Sequence, residues 1–97
     1  MSSPDALLRA SRVYDPIALL RREGEVLVVA RVGMKASQRF MILTPTGEPA
    51  WAHEPLGSLS DVAWSLRAHE WHLVTVEPAG QTSRPAMTLA RLLSERA

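Results

Sequence analysis

The stretch Glu25-Val26-Leu27-Val28-Val29-Ala30-Arg31-Val32 most narrows what this chain can fold into. In an extended strand, Val26, Val28, Ala30 and Val32 share one side, while Leu27 and Val29 share the other. β-branched residues suit a pleated, half-buried surface. Apolar residues on both sides call for a central strand with cover on two faces, at least in part. The rest of the chain must supply that strand's neighbours and its cover.

The 97 residues amount to one globular domain spanning 1–97, and 46% apolar with 22% charged is an ordinary composition for one. Around the 25–32 strand the element signals are mostly clear. Ser3-Pro4-Asp5 predicts a helix over about 4–12 that buries Leu7 and Leu8. Asp15-Pro16 reads as a second helix start with Gly24 as its stop. The competing reading makes residues 17–22 a strand that turns at Glu23-Gly24; the helix is preferred. Residues 33–37 read as a loop. Residues 38–44 form a strand with Phe40 and Ile42 opposed to Met41 and Leu43. Pro45-Thr46-Gly47-Glu48 is a turn, and residues 49–53 should return as a short third strand.

Further along, Ser58 followed by Asp61 has the form of a capping box, so residues 59–70 should make an amphipathic helix through Leu59, Val62, Ala63 and Leu66. Residues 72–77 alternate as a fourth strand. Thr82 or Ser83 caps a final helix over about 84–96 with Ala86, Leu89, Leu92 and Leu93 inside. The expected fold class is α+β: a mainly antiparallel sheet of about four strands packed by two to four helices. A crossover through the 59–70 helix would instead make one strand pair parallel.

Several chemistries are excluded or unsupported. Without cysteine there are no disulfides, thiolate metal sites or cysteine nucleophiles. The first residues lack a signal-peptide apolar run, and no stretch reaches the roughly 18 apolar residues of a membrane span, so a cytoplasmic protein is expected. Ten arginines against one lysine, with no asparagine, suggest a GC-rich, bacterial coding sequence. No phosphate loop, dinucleotide fingerprint or nucleophile elbow is present, and nothing calls for a cofactor or establishes an enzyme.

Three constellations remain. Trp64 falls about 140° from Leu59 on a helical wheel, off the apolar stripe. Tryptophan and arginine dominate contact hot spots, so Trp64 and Arg67, with Trp71 and Trp51, form the candidate surface for a protein partner or a second copy. The bland alternative is that a terminal helix packs over Trp64. The second constellation is basic: Arg21, Arg22, Arg31, Lys35 and Arg39 surround the 25–32 strand and could follow phosphates of a nucleic acid without reading sequence. Net charge is only +1, and Glu23 and Glu25 offset these cations. Third, His53, His69 and His72 could serve a small hydrolase or a metal, although their spacing matches no zinc motif. The reading preferred is a non-catalytic interaction module; nucleic-acid binding is the alternative and histidine chemistry the second alternative.

Overall fold

A computed structural model describes residues 15–32, 39–71, 74–79 and 83–95. The expected helix over 4–12 lies outside them. In chain order the described elements are β1 (Asp15–Arg22), β2 (Glu25–Val32), β3 (Arg39–Leu43), α1 (Leu59–Ala68), β4 (Thr75–Pro78) and α2 (Arg84–Ser94). The strands form one sheet in the order β3-β2-β1-β4, and every neighbouring pair is antiparallel. This is the α+β arrangement expected, without the parallel pair.

The segment expected as a helix after Asp15-Pro16 is instead β1. Glu23 and Gly24 have φ of 48° and 87°, the two positive values that a type I′ hairpin turn requires. That turn fixes Arg22 opposite Glu25 and brings Leu19 opposite Val28. Once β2 is extended, β1 gains a full ladder on one side and β4 on the other, which outweighs a local capping signal. A bulge between Pro16 and Ala18 leaves Ile17 unpaired, so Ile17 and Ala18 both join the same core cluster. Pro16, with no N–H to give, precedes the part of β1 that pairs with β4.

The expected third strand over 49–53 is also corrected. Only Pro49 of that segment bridges β3, opposite Leu43, and a second isolated bridge, Phe40–Leu56, follows beyond it. The Ala50 N–H donates to the Ile42 carbonyl at 2.9 Å, and Phe40 and Leu56 exchange two bonds at 2.9 and 2.8 Å. Pro49 and Pro55 cannot donate, so a regular ladder fails, yet the segment still blunts the β3 edge.

Both described helices lie on one face of the sheet. Ile17, Ala18, Leu20, Leu27, Val29 and Ile42 meet Val62, Ala63 and Leu66 of α1 and Ala86, Leu89 and Leu93 of α2 in one cluster. The sheet's opposite face carries a second buried cluster of Leu19, Val28, Ala30, Met41 and Leu43. Among the described residues no helix is long and apolar enough to cross a membrane.

Helix α1 starts as the sequence indicates: Ser58 Oγ accepts the Asp61 N–H at 3.1 Å. Its other end is less obvious. Glu70 adopts φ 65°, the Glu70 N–H donates to the Arg67 carbonyl, and the Trp71 N–H donates to the Leu66 carbonyl at 2.8 Å. This is a Schellman ending with glutamate where glycine is usual, and Trp71 packs in the same cluster as Leu66. A left-handed non-glycine residue costs about 1 kcal/mol or more. Glu70→Gly should therefore raise the unfolding free energy by about 1 kcal/mol in urea denaturation. A lowered midpoint would contradict this account of the helix end.

Candidate functional site

The residues singled out in the sequence fall into two groups, one absorbed by the fold and one left on its surface. Trp71 belongs to the first: it is only 5% exposed and sits in the helix-side core. The Arg22 guanidinium lies 4.1 Å over its ring centroid, donates to the Glu70 carbonyl at 2.8 Å and pairs with Glu25. Arg22 thus ties the β1–β2 turn to the end of α1.

Trp51 is half-buried beside α1. Its indole N–H donates to Ser65 Oγ at 2.8 Å, and its ring stacks on His69 with centroids 4.0 Å apart and planes 9° from parallel. His69 Nδ1 lies 3.0 Å from the Ser65 carbonyl. These contacts fasten the segment along the β3 edge to the helix layer.

Arg67 is half-buried and turned toward α2. Its guanidinium donates to the Leu92 carbonyl and, at 3.4 Å, to the Glu95 carbonyl. A cation there satisfies carbonyls that the helix cannot bond internally and offsets the negative end of its dipole. Arg67 is a strap between two helices.

Trp64 is different. It is 69% exposed, on the side of α1 away from Val62, Ala63 and Leu66. Its neighbours one turn away, Ser60, Asp61 and Ala68, are exposed too. A second exposed large apolar residue, not singled out in the sequence, stands on α2. Met87 is 65% exposed and shares a helical stripe with Arg84, Thr88 and Arg91. With Ser83 these residues line a shallow open depression of about 590 Å³. The signal was present in the spacing, because 84, 87, 88 and 91 lie opposite the buried 86, 89 and 93.

The basic residues do not converge. Arg21 pairs with Glu77 at 3.0 Å, and Arg31 pairs with Asp15. Strand alternation puts Arg22 and Arg31 on the helix side of the sheet, with Arg21 and Arg39 on the other. Arg39 is exposed, and Lys35 lies outside the described residues. His53 is exposed in the segment along β3, and His69 is engaged with Trp51. His72 lies outside the described residues. Among the described residues, no three or more histidine or carboxylate side chains are grouped to hold a metal.

Comparisons of the chain with protein-family models, with curated proteins and with solved structures found no match.

The strap assigned to Arg67 has a measurable consequence. Charge-assisted hydrogen bonds to carbonyls contribute about 1.5–3 kcal/mol, less where water has access. Arg67→Ala should lower the unfolding free energy by about 1–2 kcal/mol, with Arg67→Lys recovering only part. An Arg67→Ala variant as stable as the parent would leave Arg67 free for a surface role.

Proposed function

We propose that this domain is a protein-recognition module whose contact surface is the outer side of the helix layer, centred on Trp64. The observation that carries the reading is the contrast among the three tryptophans. Trp71 is core and Trp51 is hydrogen-bonded and stacked, whereas Trp64 presents most of its ring to water. Covering a ring of that size at an interface is worth on the order of 3–4 kcal/mol before the costs of association. On the neighbouring helix Met87 is also exposed, in a depression it lines with Arg84 and Arg91, a composition typical of contact surfaces.

The pairing of Arg21, Arg22 and Arg31 with carboxylates, and their split across two faces, supports protein recognition over a phosphate-tracking hairpin. The partner is another protein or a second copy of this chain.

Trp64→Ser separates a contact residue from a packing residue. For a contact residue, stability in the dilute monomer changes by no more than about 0.5 kcal/mol. Self-association, measured by sedimentation velocity up to high concentration, or affinity for an identified protein partner then falls at least tenfold. A loss of about 3 kcal/mol on the same substitution would make Trp64 part of the packing and remove the reading.

A further inference from the structure

Two large apolar side chains stand in water among the described residues, Trp64 on α1 and Met87 on α2. Within one molecule neither covers the other, since 69% of the first and 65% of the second are exposed. Both helices bury their other sides in the same cluster on one face of the sheet, so both outer sides point away from it. The two outer sides differ in charge. On α1, Ser60, Asp61, Trp64 and Ala68 are exposed, a stripe with one carboxylate and no cation, while Arg67 is turned to α2. On α2, which contains no carboxylate, Arg84 and Arg91 flank Met87. Among the described residues none of Asp61, Arg84 and Arg91 has an ion-pair partner, although Arg21, Arg22 and Arg31 each have one.

The spacing makes one side fit the other. Asp61 lies three residues before Trp64, about one helical turn. Arg84 lies three residues before Met87, and Arg91 four after it. With Trp64 seated on Met87, a parallel pair of helices brings Asp61 to Arg84, and an antiparallel pair brings it to Arg91. Either direction joins opposite charges. Ala68, one turn to the other side of Trp64, is small and leaves room for the stem of the second arginine. The open depression that Met87 lines with Ser83, Arg84, Thr88 and Arg91 offers the ring a seat, and a thioether gains from contact with an aromatic ring. We infer that this domain pairs with a second copy of itself, α1 of each copy seated on α2 of the other, with Trp64 over Met87 and Asp61 against Arg84 or Arg91. A two-fold axis between the helix layers forms that contact twice. The inference rests on the protein-recognition reading and names the partner; a different protein at Trp64 would uphold that reading and not this one.

Sedimentation velocity of the full chain from about 10 μM to about 1 mM should show a monomer–dimer equilibrium. Arg84→Glu combined with Arg91→Glu should weaken the dimer at least tenfold, and Asp61→Arg should do the same, because each change sets like charges together twice. Mixing the two variants should restore dimers, since both contacts of the mixed pair again join opposite charges. All three positions are exposed, so urea midpoints should stay near that of the parent. Should Asp61→Arg not fold, the arginine variant alone decides, by its loss of dimer. A strict monomer at every concentration would overturn the inference, and Trp64→Ser would then still test Trp64 against a different protein. A dimer indifferent to the charge reversals, or folded variants that do not recover on mixing, would overturn it as well.

Discussion

Everything in this domain depends on the pairing of β1 with β2, two strands whose side chains are buried on both faces. Leu19 and Val28 point to one side of the sheet, and Leu20, Leu27 and Val29 to the other. Neither set can be left in water without losing a large part of a stability that, for a domain of this size, totals only about 5–15 kcal/mol. The two-residue turn at Glu23-Gly24 sets the register, and the register decides which side chains go to which layer. The helices then serve as cover for one face, and their own sequence patterns follow from that duty.

The polar and aromatic residues between the layers act mainly as ties. Arg22 joins the hairpin to the end of α1 through Trp71 and the Glu70 carbonyl. Trp51 joins the segment along β3 to α1 through Ser65 and His69. Arg67 joins α1 to the last turn of α2. Each uses a residue type that is also common at binding sites, since a planar cation or a large ring with one polar atom suits a partly dry boundary equally well. Composition cannot separate the two uses; the partner atoms can. Trp64 has a different place, exposed on a helix whose buried side is already filled.

Much of this was legible in the sequence, for local reasons. The double-faced 25–32 strand, the Ser58 cap and the stripe of Ala86, Leu89 and Leu93 all express a periodicity that tertiary packing reinforces. The wheel position of Trp64 was legible in the same way. Residues 15–22 were not, because a short apolar run after Asp-Pro satisfies a helix start and a buried strand alike, and only the partner strands decide. The role of Trp71 was hidden by the glutamate at position 70, and that of Arg67 by its partners on a helix distant in sequence. A glycine at position 70 would have announced the helix end and placed Trp71 in the core beside Leu66. The basic cluster looked coherent because its members are near in sequence, whereas strand alternation sends them to opposite faces.

If the two-sided β1–β2 pair is the centre of the structure, its amides should open last. Native-state hydrogen exchange measures this directly, residue by residue. The slowest amides are expected to belong to the ladder residues of 18–20 and 27–30, exchanging only through global unfolding and responding to denaturant together. Slower exchange in α1 and α2, with β1 and β2 opening at lower free energy, would contradict it and move the centre of the fold to the helix layer.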